Sequence, residues 1–207
     1  MEMIVRKNED LNREVRRDLA RVLNKAVYDG HCSPYFMFEH YISDPDMLHF
    51  TFATGKVVMA DFIIKELPDV NAAHYVIGGV LEAHRRKGIY GKAIAAREDH
   101  CRKLGFSHVV TRTSNPLIIS ILEKHGYYYP KATEMENGAL IERAREIVTE
   151  YCGKEIDDYM ILKGTDVESY PCLTVTGSSP DHELKRFMDE TMNIERGDRL
   201  VLIKALK

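Results

Sequence analysis

Apolar side chains recur every fourth position through "NEDLNREVRRDLARVLNKAVYDG", at Leu11, Val15, Leu19, Leu23 and Val27. That spacing lines one face of a helix. Asn8 is the expected cap, Glu9 and Asp10 suit the first turn, and Gly30 is the expected stop. Before it, "MIVRKN" reads as a short edge strand. After it, Ser33-Pro34 gives a cap followed by a proline at the first helical position, opening a short aromatic helix "PYFMFEHYI". The pattern then changes period. "MLHFTFATGKVVMADFIIKEL" predicts two strands joined by a tight turn at Thr54-Gly55, and "AHYVIGGVLEA" a third. Gly78-Gly79 inside that third strand marks either a bulge or a place where side-chain crowding is relieved.

A helix follows from about Ile89 to Leu104, with Ala93, Ile94, Cys101 and Leu104 on its apolar side, then the strand "SHVVTRTS". Asn115-Pro116 opens the helix "NPLIISILEKHG". Beyond Tyr127 the expected elements are a strand at "YYYPKA" and a helix "ENGALIERAREIVTEYCG" with Leu140, Ala144, Ile147 and Tyr151 on one side. Two short strands "YMILKG" and "YPCLTVTG", a helix "DHELKRFMDETM" and a final strand "DRLVLIKAL" complete the chain. The order suits a mixed α/β sheet with helices on its faces.

At 207 residues, 44% hydrophobic and 29% charged, the chain is expected to be one globular domain. A net charge of −3 argues against a general polyanion binder and leaves nucleic acid as a minor alternative. Cys32, Cys101, Cys152 and Cys172 show no CxxC pairing, and no apolar run has membrane-spanning length, so reduced thiols and a cytoplasmic setting are expected. The histidines show no metal-ligand spacing, and no metal is expected.

The candidate chemistry lies in "HRRKGIYGKAI". A strand-like run meets a glycine-containing turn and a helix start, flanked by Arg85, Arg86, Lys87 and Lys92, which is a geometry that takes anions against bare backbone. A Walker loop fails because Gly91-Lys92 is followed by Ala93, and the dinucleotide fingerprint GxGxxG is absent. The GxxG loop of RNA-binding KH modules is present as Gly88-Ile89-Tyr90-Gly91, but there it joins two helices, whereas a strand enters here.

The wider stretch "VLEAHRRKGIYGKAIAAREDHCRKLGF" resembles the acyl-CoA-binding core of GNAT-fold N-acetyltransferases. Their signature is Arg or Gln, two residues, Gly, one residue, then Gly or Ala. Arg85, Gly88 and Tyr90 occupy those positions, with Tyr90 standing where the signature has a small residue. "TRTSNPLIISILEKHGYYYP" is similar to the family's next motif, through Asn115, Gly126 and Tyr127. The resemblance implies a central mixed, mostly antiparallel sheet flanked by helices. The core would be 1–130 plus the final strand 199–206, with an insertion at 131–198.

It also implies acetyl-CoA as co-substrate. Backbone amides along Arg86, Lys87, Gly88, Ile89, Tyr90, Gly91 and Lys92 would hold its pyrophosphate, and an amide near Val80 would polarise the thioester carbonyl. A small-molecule or peptide amine would attack directly. Leu122 stands where many relatives carry a tyrosine that protonates the departing thiolate; Tyr127 is the candidate substitute, with Tyr128 and Tyr129 as alternatives and a packed aromatic as the other reading of each. No glutamate lies on the fourth strand, so the candidate bases are His74, which otherwise reads as a structural histidine, and water relayed by backbone carbonyls. The alternative is a GNAT-like domain that binds CoA without catalysing transfer. Glu134, Glu136, Glu142, Glu146 and Glu150 give the insertion an acidic tilt that suits either a cationic acceptor or a solvated helix face, and the segment as a whole either extends the acceptor side or adds packing or a homodimer surface.

Overall fold

A computed structural model describes residues 1–130, 137–164 and 181–206. The expected strand "YPCLTVTG", Lys131, Glu134, Glu136 and Cys172 lie outside the described residues. Seven strands form one sheet in the order β1-β2-β3-β4-β5-β7-β6. They are β1 (Glu2–Lys7), β2 (Met47–Thr54), β3 (Val57–Leu67), β4 (Ala72–Val80), β5 (His108–Thr113), β6 (Ile161–Leu162) and β7 (Arg199–Ala205). The helices are α1 (Arg13–Tyr28), α2 (Pro34–Met37), α3 (Ile89–Lys103), α4 (Pro116–Lys124), α5 (Gly138–Cys152) and α6 (His182–Thr191). The chain divides into two compact units, Met1–Glu66 with Tyr75–Leu104, and Leu67–His74 with Gly105–Lys207.

In the first unit, β1 runs antiparallel to β2 from Glu2 opposite Ala53 to Lys7 opposite Leu48. β2 and β3 form a hairpin with an irregularity at Phe52/Ala53. Helix α1 buries Leu19 and Leu23 as its periodicity predicts, with Val15 and Val27 half-buried, Leu11 buried just before the helix and Tyr28 buried at its end. Its cap is Asn12, whose side chain accepts from Val15 N at 3.0 Å, and not Asn8.

Asn8 is diverted into the core. Its amide nitrogen donates to Asp44 O at 2.7 Å, and its oxygen lies 2.8 Å from His49 Nε2. His49 Nδ1 meets Asp61 Oδ2 at 2.6 Å, and the Thr51 hydroxyl donates to the other Asp61 oxygen at 2.8 Å. His49 and Asp61 have no exposed surface. This chain of side chains ties β2, β3 and the turn after β1 into one hydrogen-bonded layer.

The aromatic run after Ser33 starts as expected, with Ser33 Oγ accepting from Phe36 N at 3.0 Å, and then widens into a π-helix over Phe38–Ile42. Leu104, expected on the buried side of α3, caps that helix and is half exposed, while Ala93, Ile94 and Cys101 are fully buried.

In the second unit, β5 and β6 each pair antiparallel with β7. Helix α5 packs on β5 and β7 through Ala144 and Ile147, with Leu140 and Tyr151 at the margin of the same core. Of the expected strand at "YYYPKA", Tyr128 forms a single antiparallel bridge to Ile203, and Lys131 and Ala132 are outside the described residues. Among the described residues no helix is long and apolar enough to cross a membrane, and Cys32, Cys101 and Cys152 form no disulfide.

Candidate functional site

In the first unit, β4 ends at Val80 and a single helical turn, Glu82–His84, leads into the basic residues. Two positions then adopt left-handed backbone, Arg86 at φ +62° and Gly88 at φ +71°. Gly88 suits that conformation because it has no Cβ; Arg86 takes it against the usual preference. Helix α3 starts at once. Its first intrahelical bond here runs from Lys92 N to Gly88 O at 3.2 Å, so the amides of Ile89, Tyr90 and Gly91 precede the ladder and point out of the helix start. Arg86, Lys87, Gly88 and Lys92 are exposed, so three cationic side chains flank this turn in the chain.

Arg85 plays another part in this turn. Its Nε donates to Val80 O and one terminal nitrogen to Ala26 O, both at 3.1 Å. The guanidinium thus clamps the end of β4 to the end of α1 and fixes the turn that follows. Sequence reading grouped Arg85 with the anion-facing residues; the structure places its side chain on main-chain carbonyls.

The glycine pair has a steric cause. A Cβ on Gly78 would lie 2.2 Å from Phe62 Cδ1, and one on Gly79 would lie 2.7 Å from the Ala26 Cβ. Phe62 presses on β4 from one side and α1 from the other. Tyr90 then stacks edge-on to Phe62 at 5.2 Å, and the Arg97 guanidinium lies 3.9 Å from the Tyr75 ring centre and 5.1 Å from that of Phe62. Burial raises the Tyr90 phenol above its ordinary pKa, against the pull of Arg97. An aromatic at position 90 therefore leaves its amide in the turn and turns its ring inward. Neither this ring cluster nor buried Arg97 was singled out from the sequence, where Arg97 sits in a charged run, "REDH". The nearby Cys101 thiol is pushed up to about 12 chiefly by burial, which makes it inert as a nucleophile at neutral pH.

The second unit holds the other sequence-predicted residues. Asn115 caps α4, its side chain accepting from Leu117 N at 3.0 Å. Leu122 is buried in α4, and Tyr127 is buried just past Gly126, with Lys204 Nζ 5.7 Å from its ring centre. His74 is fully enclosed. Its ring stacks on Tyr151 at 3.8 Å, Arg112 covers the same tyrosine at 5.2 Å, and neither ring nitrogen has a hydrogen-bond partner among the described residues. Burial, assisted by Arg112, holds its pKa well below 6.5. These are the surroundings of a packed core ring.

That burial has a measurable consequence. His74 is neutral when folded and gains a proton near 6.5 when unfolded, so the unfolded chain binds more protons below that pH. The stability is whole above 6.5 and is lost as pH falls toward the folded value, at up to about 1.4 kcal/mol per unit. His74→Phe, which keeps the stack, is expected to flatten the difference between urea midpoints at pH 7.5 and 5.5; an unchanged slope refutes the assignment.

Of the acidic residues that suit either a cationic acceptor or a solvated helix face, Glu142, Glu146 and Glu150 lie along α5. Glu142, Glu146, Glu150 and Glu155 line an open groove of about 690 Å3 with Arg145 and Thr149. Arg145 pairs with Glu142 and Asp158, and Arg143 with Glu146, so part of that charge is already neutralised on the helix surface. Among the described residues no three His, Cys, Asp or Glu side chains cluster as metal ligands.

No family model matches this sequence, and no curated protein matches it. Solved structures do match in fold. GCN5 from Tetrahymena superposes with a TM-score of 0.58 at 10% identity, covering 100% of this chain and 97% of that one. The ribosomal-protein-S18-alanine N-acetyltransferase of Escherichia coli gives 0.57 at 11%, covering 100% and 95%. An acetyltransferase from Bacillus subtilis, solved in complex with CoA, gives 0.57 at 13%, covering 100% of both. The chain has the fold of the GNAT acetyltransferases.

Proposed function

We propose that this chain, whose fold is that of the GNAT acetyltransferases, is an acyl-CoA-dependent N-acyltransferase that passes an acetyl group from acetyl-CoA to a primary amine. The observation that carries the proposal is the turn opening α3, with left-handed Arg86 and Gly88 and the outward amides of Ile89, Tyr90 and Gly91. Such donors, with the helix dipole behind them, suit the pyrophosphate of CoA. Arg85 clamps the turn, and Arg86, Lys87 and Lys92 supply charge. An amide near Val80 is the proposed donor to the thioester carbonyl. Asn115 is proposed to belong to the donor side through the α4 motif it caps, and Tyr127 is the candidate acid.

In this reading the amine attacks within a ternary complex and the acyl group never rests on the protein. With His74 enclosed, the amine's proton passes to water relayed by backbone carbonyls. An ordinary thiol has a pKa of about 8.5, so the departing thiolate needs little help from an acid. Titration calorimetry with acetyl-CoA tests the donor half: binding is expected, and Lys87→Glu is expected to weaken it about tenfold by setting a negative charge beside the pyrophosphate. No detectable heat with the native chain would sink the proposal.

A second reading, a domain that binds CoA without transferring its acyl group, is favoured by buried Leu122 and enclosed His74. Thiol release across an amine panel separates the two. A catalyst releases thiol above background with at least one amine, whereas a binding domain does so with none.

A further inference from the structure

Strand β1 stands at one end of the sheet order and pairs only with β2 among the described residues. Five of its six residues are exposed and Ile4 is half-buried. An antiparallel strand spends alternate amides and carbonyls on its partner and directs the others outward, so β1 carries an open row of donors and acceptors. Natural edges are usually blunted by proline, a bulge, or a charge at their centre. "EMIVRK" has no proline, its register with β2 is unbroken, and its centre is apolar. Met3 is 42% and Val5 40% exposed.

The strand is also self-complementary. Laid antiparallel against a second copy with Ile4 opposite Ile4, Glu2 faces the partner's Arg6 and Arg6 faces the partner's Glu2. Met3 faces the partner's Val5, and Val5 the partner's Met3. Directly opposed residues share a face, so this register sets two opposite-charge pairs and the Ile4 contact on one face and an apolar stripe on the other. A one-residue slip breaks the charge pairing and the stripe together. This is the isologous pattern of a two-fold dimer, in which one patch meets itself.

We infer that β1 is the contact between two copies of this chain, which join their sheets edge to edge about an axis at Ile4. The inference is independent of the acyl-transfer reading, since it rests on β1 alone.

Sedimentation equilibrium over a micromolar-to-millimolar series, with charge reversals at both ends of the strand, tests it. Glu2→Lys alone sets lysine against Arg6 at both ends of the pair, and Arg6→Glu alone sets glutamate against Glu2. Each is expected to weaken the dimer about tenfold, from cross-strand pairs changed from attractive to repulsive. The decisive arm mixes the two single variants. Every lysine then faces a glutamate and every Arg6 a Glu2, so a heterodimer of native strength is expected. Both substitutions lie on an exposed edge, and circular dichroism confirms that each variant is folded.

A second readout is Ile4→Cys. Opposed Cα atoms about 4.5–5.5 Å apart are within disulfide reach, so mild oxidation is expected to link two copies through position 4, identified by peptide mapping against the native chain. A native chain that stays monomeric throughout the series overturns the inference. So does a dimer that ignores both reversals and gives no link at position 4, which would place the contact elsewhere.

Discussion

Asp61→Ala is expected to lower the unfolding free energy by about 3–5 kcal/mol, the size found when one member of a buried, hydrogen-bonded pair is removed. The carboxylate lies 2.6 Å from His49 Nδ1 and accepts from the Thr51 hydroxyl at 2.8 Å, and it has no exposed surface. Removing it strands both groups where water does not reach, and an unsatisfied buried group costs about 1–3 kcal/mol. The effect spreads because the far side of the ring is engaged: His49 Nε2 holds Asn8, and Asn8 holds the carbonyl of Asp44. Against a total stability of about 5–15 kcal/mol the loss is large. Urea unfolding at neutral pH measures it. Asp61→Asn keeps the shape and one acceptor, so a loss between that of Ala and zero is expected. A change below about 1 kcal/mol for Asp61→Ala would show that the network is not a unit.

Gly78→Ala is the second large effect. The new methyl would lie 2.2 Å from Phe62 Cδ1 and 3.0 Å from Cγ, inside the ring's contact surface. Phe62 has no obvious retreat, with Phe52 at 6.0 Å, Tyr90 at 5.2 Å and Arg97 at 5.1 Å around it. Overpacking of this kind costs about 1–3 kcal/mol. The strain also has a direction, since Tyr90 opens α3 and rests on the ring that must move. Acetyl-CoA affinity is expected to fall together with stability. Phe62→Leu in the same chain vacates the contested space, so the double variant is expected to be more stable than the two single losses add up to. Strict additivity would place the strain somewhere else.

The parts of the fold legible in the sequence were those written in local periodicity and punctuation. The four-residue spacing of α1, the Ser33-Pro34 and Asn115-Pro116 starts and the Thr54-Gly55 turn all depend on neighbours in the chain. The misreadings differ in cause. Asn8 looks like a cap until His49, 41 residues away, takes its side-chain oxygen. Leu104 fits the helix period but falls where the helix has ended. The π-helical widening at Phe38–Ile42 has no sequence signature in an aromatic run. At the candidate site, the turn was legible because its backbone conformation is announced by Gly88. Acid–base chemistry was not. Whether a histidine works or packs is decided by what surrounds it, and for His74 that is Tyr151 and Arg112, contributed by distant segments.

The turn at Arg86 and Gly88 also bears on how freely its sequence can change. Its donors at Ile89, Tyr90 and Gly91 belong to the peptide bond, which every residue carries alike. A lineage can exchange nearly all the side chains around the turn and keep it, provided two positions tolerate left-handed backbone and a helix follows. Tyr90 illustrates that freedom, with its ring folded onto Phe62 and its amide left in place. Substitutions accumulate in such a segment without touching the groups proposed to bind. The path of the main chain can persist there while the letters change.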